Sequence, residues 1–277
     1  MTPAQVRAGR LLVCPTPIGN MQDITLRVLT ALAQADVVAC EDTRHTRALL
    51  DRHGLSATLV SLHEQNERAR SRELTARIAD GALVALVSDA GTPLISDPGF
   101  VLVRACLQAG LAVEVLPGPS AVVTALVASG LPLERWCYVG FLPRKHAERD
   151  AVLAETGATL VAFESPRRLG ATLGAIAART PERALAVCRE LTKLHEEVRR
   201  GSAAELAMFY GENPPRGEVV LVLAPAAPHA IAAEQALAAL RAVVDAGARA
   251  RPAAAALGKL TGYRANELYR KLNCSEQ

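Results

Sequence analysis

Short apolar or β-branched runs alternate along the first half of the chain with longer stretches whose apolar residues recur at helical spacing. The runs Leu11–Cys14, Val37–Cys40, Thr58–Leu62, Leu83–Val87 and Val113–Leu116 predict strands. Between them Ile24–Gln34, Thr43–Arg52, Asn66–Ala79 and Gly99–Gln108 predict helices. One helix between consecutive strands is the βαβ unit of a parallel sheet. The pattern pauses at Ser129–Leu133. It resumes with strands at Trp136–Phe141, Thr159–Phe163, Ala184–Cys188 and Glu218–Leu223, and helices near His146–Glu155, Arg167–Ala178 and Ala203–Tyr210. The expected fold class is therefore α/β with two α/β domains, residues 1–122 and 123–226, the boundary falling at about 120–133.

After Leu223 the composition shifts to a Pro/Ala-rich stretch, APAAPHAIAAE. Three short helices follow, at Ala232–Asp245, Pro252–Leu260 and Ala265–Leu272, and define a third segment, 232–277. Pro252 suits a first helical turn, and Thr261-Gly262 is the turn of a helix-turn-helix-like pair. Charge sharpens this division. The chain is +3 overall, but residues 241–271 hold seven basic side chains against two acidic ones, leaving the remainder slightly acidic. Such a surplus suits phosphate contacts, and equally a solvated face on a dimer-forming tail.

Composition then excludes whole classes. Half the residues are hydrophobic and 21% are charged, which is not a disordered chain. The apolar runs are shorter than the ~18–20 residues of a spanning helix, so no membrane partner is expected. The N-terminal apolar stretch is too short for a secretory signal, which points to the cytoplasm. Six cysteines at 14, 40, 106, 137, 188 and 274 form no CxxC pair, against a disulfide framework or a zinc cluster. No GxG triplet, Walker A loop, HExxH or GxSxG occurs, which disfavours conventional nucleotide and metal chemistry.

Glycine and proline gather directly after three predicted strands, in Pro15–Asn20, in Ser88–Thr92 with its near echo Ser96–Gly99, and in Pro117–Ser120. In open α/β sheets ligands bind beyond the carboxyl ends of the strands. Three such loops outline a site for a small polar molecule. Mixed-charge clusters follow four other strands, Glu41–Arg47, His63–Glu67, Glu164–Arg168 and Arg189–Glu197. Asp42, Thr43 and Ser165 suit helix N-caps and Pro166 a first helical position. Glu41, Arg44, Arg189, Glu190 and Lys193 are less easily explained that way, because repeated charge at one cleft is costly unless paired or used on a ligand.

The loop TPIGN before Met21, CEDTR at 40–44, SDAGTPLISDPG at 88–99, PGPSA at 117–121, FESPR at 163–167 and RELTKLHEE at 189–197 closely resemble the ribosomal RNA small subunit methyltransferase I family of the tetrapyrrole-methylase-like superfamily. The resemblance runs from about Leu11 to Leu223, and the tail is similar to a helical extension found in that group. It implies S-adenosylmethionine folded into the cleft between two α/β domains, a homodimer, and no metal. The implied reaction is methyl transfer to the ribose 2′-hydroxyl of a decoding-centre cytidine in 16S ribosomal RNA of the small subunit. By analogy the cofactor meets Ser88, Asp89, Ala90, Gly91 and Thr92, then Ser120 and Ala121, with Phe163, Glu164, Gly217, Glu218 and Val219 adding contacts. The superfamily's usual GxGPGD first loop reads Pro17-Ile18-Gly19-Asn20 here, a departure that fits a different substrate.

A ribose hydroxyl is a poor nucleophile and must lose its proton, so a carboxylate or lysine beside the methyl is expected. The candidates are Asp89, Glu41, Glu190 and Lys193, and sequence alone leaves the base unassigned. Arg44, Arg167 and Arg189, with Arg249, Arg251, Lys259, Arg264 and Arg270 of the tail, are the expected RNA contacts. At 3% aromatic residues there is little material for base-stacking platforms, which favours an assembled subunit over free RNA. The competing readings are a precorrin-type C-methyltransferase and a catalytically silent RNA-binding assembly factor.

Overall fold

Two interior strands of the first sheet are four-residue runs with every position buried, the signature of a parallel sheet covered on both faces. The computed structural model describes residues 8–154, 157–226 and 233–273. Strands β1 (Arg10–Val13), β2 (Val37–Cys40), β3 (Leu59–Ser61), β4 (Leu83–Leu86) and β5 (Ala112–Val115) form an all-parallel sheet in the order β3-β2-β4-β1-β5. Helices α1 (Leu26–Gln34) and α2 (Thr43–Arg52) cover one face over Leu12, Val38 and Ala85. Helices α3 (Glu67–Ala79) and α4 (Phe100–Gln108) cover the other over Leu11, Val13, Val84 and Leu86. The strict alternation of neighbours such as Leu11 and Leu12 between the two cores is the period-2 geometry of a strand.

Val13 lies level with both Leu86 and Val115, so β4, β1 and β5 end at one height and release their loops side by side.

The second sheet is mixed. Its strands β6 (Trp136–Phe141), β7 (Thr159–Glu164), β8 (Ala184–Arg189), β9 (Glu197–Ser202) and β10 (Val219–Leu223) are ordered β6-β7-β10-β8-β9, with only β6 and β7 parallel. Helices α6 (His146–Leu153), α7 (Leu169–Arg179) and α8 (Ala203–Glu212) belong with its outer face. There Leu173, Ile176, Leu206 and Tyr210 bury against Leu160, Leu185 and Leu221. Helix α5 (Ala121–Ser129), capped by Ser120 and ended by left-handed Gly130, packs Val122, Ala125 and Leu126 on the opposite face, over Val161, Ala186 and Val220.

Two elements differ from the sequence reading. Neither α5 nor β9 was anticipated, and the boundary drawn between 122 and 123 falls inside α5. The described residues up to Pro225 form one compact unit, and those from Ala226 a second. Ile18 and Leu191 join the α5 core, tying the β1 and β8 loops together.

In the second unit α9 (Ala233–Asp245), α10 (Ala250–Thr261) and α11 (Ala265–Asn273) bury Ala236, Leu240, Ala253, Ala254 and Leu268. Gly262 ends α10 in the left-handed region, at the predicted turn. Most of the Pro/Ala-rich stretch, Ala232 at the start of the predicted helix, Glu155 and Cys274 lie outside the described residues. Among those described, no helix is long and apolar enough to cross a membrane, and no group of three metal-ligating side chains is assembled.

Candidate functional site

The three Gly/Pro loops are joined to one another before any ligand arrives. Thr16 and Gly91 exchange backbone hydrogen bonds of 2.9 and 3.0 Å, and the Thr16 hydroxyl donates to the Ser88 carbonyl at 3.0 Å. The Ser88 hydroxyl donates to the Gly91 carbonyl at 3.1 Å, and the Thr92 hydroxyl to the Pro119 carbonyl at 3.0 Å. Loop β1–α1 is thus fastened to loop β4–α4, and that loop to loop β5–α5. A cleft of about 350 Å³ opens above them, closed from the other sheet by Phe141, Phe163–Pro166 and Gly217–Val220.

Of the residues assigned to the cofactor, Asp89, Ala90, Gly91, Thr92, Ser120, Ala121, Phe163, Glu164, Gly217, Glu218 and Val219 all line this cleft. Ser88 does not. It is buried beneath the loop and braces its turn. The Glu164 side chain is fully buried and already engaged. It accepts from Thr172 at 2.7 Å and from the Ser165 backbone at 2.6 Å, and pairs with Arg168 at 2.5 Å. Glu164 therefore shapes the FESPR turn and has little left to offer a ligand. Ile18, Ser96 and Asp97, which lie in the Gly/Pro loops but were not assigned to the cofactor, also line the cleft, as do Ile95 and Phe141. For Asp97 a signal existed in the second Ser-Asp of the same loop, Ser96-Asp97, which repeats Ser88-Asp89.

A second cavity, of about 390 Å³, is lined by Thr16, Pro17, Gly19, His45, Leu49 and Lys193, among others. It shares Ile18, Asp89, Ala90 and Glu218 with the first. Asp89 thus faces both spaces. Its Oδ1 accepts from the Asp42 backbone N–H at 3.1 Å, which fixes the carboxylate at the head of α2.

The remaining catalytic candidates separate by environment. Glu41 lines neither cavity, and burial, with the charges of Asp89 and Glu64, raises its carboxyl above the ordinary range. Lys193 Nζ donates to Glu190 at 2.9 Å and to Glu218 at 3.0 Å. Burial alone lowers its pKa, but those two hydrogen bonds outweigh it and hold the ammonium charged. Glu190 is kept ionised by the Glu218 backbone N–H first and by Lys193 second. This pair is an anchored ion pair: the charged Lys193 ammonium has no lone pair to accept a proton, and Glu190 lines neither cavity.

Burial pushes the Asp97 carboxyl from 3.8 up to about 7, and the charges of Glu41 and Asp89 add to the shift. A carboxyl with a raised folded pKa binds its proton more tightly in the native state, so stability falls as pH rises through that window. The loss starts near the unfolded value and is complete above the folded one. Asp97→Asn is therefore expected to match the parent's melting temperature near pH 4 and exceed it increasingly up to about pH 7, with a constant gap above. Melting curves across pH check this, and a pH-independent gap contradicts it.

The expected RNA contacts are not equivalent. Arg167 is exposed, whereas neighbouring Arg168 turns inward to Glu164 and the Leu142 carbonyl. Arg44 is exposed but forks onto Asp42. Arg189 is half-buried against Glu197 at 3.2 Å and the Arg216 carbonyl, so it supports β9 from within. In the helical unit Arg249, Arg251, Lys259, Arg264 and Arg270 are all exposed, Arg251 standing 5.3 Å over the Tyr269 ring.

Comparison with known proteins places these features in context. Residues 10–207 match the family model for tetrapyrrole (corrin/porphyrin) methylases. The chain is 53% identical over 230 residues to a Mycobacterium tuberculosis protein named ribosomal RNA small subunit methyltransferase I, covering 80% of each. Proteins of the same name from Mesorhizobium japonicum and Escherichia coli O157:H7 are 45% and 47% identical, covering 98% and 78% of this chain and 93% and 77% of theirs. Among solved structures, a Thermus thermophilus uroporphyrin-III-C-methyltransferase aligns with a TM-score of 0.56 at 26% identity, over 78% of this chain and 94% of that one. A further Thermus thermophilus uroporphyrin-III C-methyltransferase structure of the same fold, 20% identical with a TM-score of 0.56, is complexed with S-adenosylhomocysteine and aligns over 78% of this chain and 97% of that one.

Proposed function

Because this chain belongs to the ribosomal RNA small subunit methyltransferase I family of the tetrapyrrole methylases, we propose that it methylates the ribose 2′-hydroxyl of a decoding-centre cytidine in 16S ribosomal RNA, with S-adenosylmethionine as methyl donor. The observation that carries this reading is the wall of Asp89 and Ala90 shared by two cavities, one suited to a cofactor and one to an acceptor.

The first cleft fits that donor chemically. Asp89, Asp97 and Glu218 give an acidic rim for a cationic sulfonium and ammonium, and Phe163, Val219 and Val220 an apolar wall for an adenine. The N-terminus of α5, at Ser120–Ala121, suits a carboxylate. Asp89–Thr92, Ser120–Ala121, Phe163 and Gly217–Val219 are the residues that would hold it. Bound there, S-adenosylmethionine supplies an already activated methyl group.

The protein's task is then alignment and proton removal. Fixed positioning of two reactants is worth ~7–11 kcal/mol. The woven loops supply it on the donor side. Asp89, facing both cavities, accepts the proton of the acceptor hydroxyl. Lys193, with one N–H left beyond its two carboxylate partners, donates to a ribose or phosphate oxygen in the second cavity.

The same reading has the protein acting on assembled small subunits, as a cytoplasmic homodimer that requires no metal. The helical unit adds phosphate contacts. Neutralising Arg249, Arg251, Lys259, Arg264 and Arg270 together is expected to weaken subunit binding and to flatten the slope of its salt dependence by about 0.7–0.9 for each phosphate no longer neutralised. An unchanged slope in titrations from low to moderate salt assigns the tail a structural role instead.

Incubation with methyl-labelled cofactor and either small subunits, protein-free 16S RNA or a tetrapyrrole tests the reaction. Label is expected in the RNA of the subunits. Label in the tetrapyrrole identifies a C-methyltransferase, and no transfer with weak cofactor binding identifies a silent assembly factor.

A further inference from the structure

The segment after β8 is built to hold one apolar side chain out in solvent. Leu194 is 93% exposed, the most exposed large apolar side chain among the described residues. Its loop is not loose. Leu191, three residues earlier, is buried in the α5 core, and the Lys193 and Glu196 backbone N–H groups close successive turns onto the Glu190 and Lys193 carbonyls. Thr192 N–H donates to Glu196 at 2.6 Å, and its hydroxyl accepts from the Asn20 backbone at 3.0 Å. Glu190 and Thr192 hold φ of +50° and +64°, a left-handed conformation that non-glycine residues keep only when their surroundings enforce it. Here Gly19 is part of that enforcement, since a Cβ on it would collide with the Lys193 side chain and the Thr192 hydroxyl.

The loop stands at the second cavity, into which Lys193 projects, while His45 lines that cavity from the head of α2 beside exposed Arg44 and Arg47. A rigid apolar tip beside a cavity that Lys193 and His45 line has the form of a side chain that inserts between stacked bases. Insertion of such a tip orders little that is not already ordered, which keeps its entropic cost low. A nucleotide turned out of its stack toward the Asp89 wall leaves a gap behind it, which a rigid apolar side chain can fill.

We propose that Leu194 is a wedge that enters the base stack next to the target nucleotide and holds that nucleotide turned out into the second cavity. This rests on the RNA-methyltransferase reading above and adds how the substrate is presented.

The test uses the full-length protein and small ribosomal subunits with Leu194→Ala and the apolar, unbranched Leu194→Met. Leu194 packs against nothing in the core, and cofactor titration and melting curves verify that both variants stay folded. Single-turnover methyl transfer is expected to fall at least about tenfold in Leu194→Ala, the scale of a lost unstacking aid, and to recover largely in Leu194→Met. In parallel, chemical probing of subunits bound with S-adenosylhomocysteine is expected to show the target base becoming reactive with the parent protein and staying protected with Leu194→Ala.

Normal transfer by Leu194→Ala overturns the wedge, and so does slowed transfer with an unchanged probing pattern. Loss of self-association in Leu194→Ala, read by sedimentation, also overturns it and assigns the tip to a second copy of the chain. If the parent protein transfers no methyl to subunits at all, the functional reading itself fails, and the wedge with it.

Discussion

Asp89→Asn is expected to lower methyl transfer at saturating cofactor by about 10²–10⁴-fold, the span attributed to a positioned general base, with a far smaller loss of cofactor affinity from the acidic rim it shares. The substitution keeps the shape of the side chain and the Oδ1 that accepts from the Asp42 backbone, so the loop holding it is not disturbed. What it removes is the carboxylate at the wall common to both cavities. The other three candidates should respond differently. Glu41 lines neither cavity, so Glu41→Gln acts only through the charge around Asp89 and costs far less. Lys193 and Glu190 are locked onto each other, so Lys193→Met should weaken acceptor binding more than turnover. Single-turnover rates with cofactor titrations across the four variants separate these outcomes. Near-normal transfer by Asp89→Asn removes base catalysis from this residue.

Gly217→Ala should damage both fold and activity, although it adds a single methyl group. Gly217 sits at φ +85°, where an L side chain costs about 1–2 kcal/mol. A Cβ there would also strike the carboxyl group of Glu190. Glu190 cannot step aside cheaply, because its Oε1 holds both Lys193 and the Glu218 backbone. The methyl therefore pushes apart the elements that join the cofactor cleft to the second cavity. A drop of roughly 2–4 °C in Tm per kcal/mol is expected for a chain of this size, with loss of methyl transfer. Combining it with Glu190→Ala removes the collision and should return part of the stability without the activity. Thermal melts of the single and double variants check this, and a Gly217→Ala protein as stable and active as the parent contradicts the close approach.

The first sheet was readable because its strands are short apolar runs separated by amphipathic helices. The glycines and prolines at 15–20, 88–99 and 117–120 then marked where those strands stop. Parallel register did the rest, bringing three loops of distant sequence to one height. The missed elements obey rules that pattern alone does not reveal. Helix α5, AVVTALVAS, is apolar on nearly all sides because it is buried on one face and carries Val123 and Val127 on the other, so its period is blurred. Strand β9, EVRRGS, is an edge strand whose arginines find partners outside the core. Arg199 lies over the Phe209 ring, and Arg200 donates to the Ala128 and Ser129 carbonyls. The charged residues at the strand ends were recognisable as a group but not as individuals. Whether a carboxylate faces a cavity, like Asp89, or is tied up by neighbouring side chains, like Glu164 and Glu190, depends on partners that only folding brings near.

The central claim is tested most directly by mapping 2′-O-methyl groups along 16S ribosomal RNA from cells with and without this gene. One decoding-centre cytidine is expected to lose its 2′-O-methyl on deletion and to regain it with the intact gene but not with Asp89→Asn. An identical methylation map in the presence and absence of the gene contradicts the account.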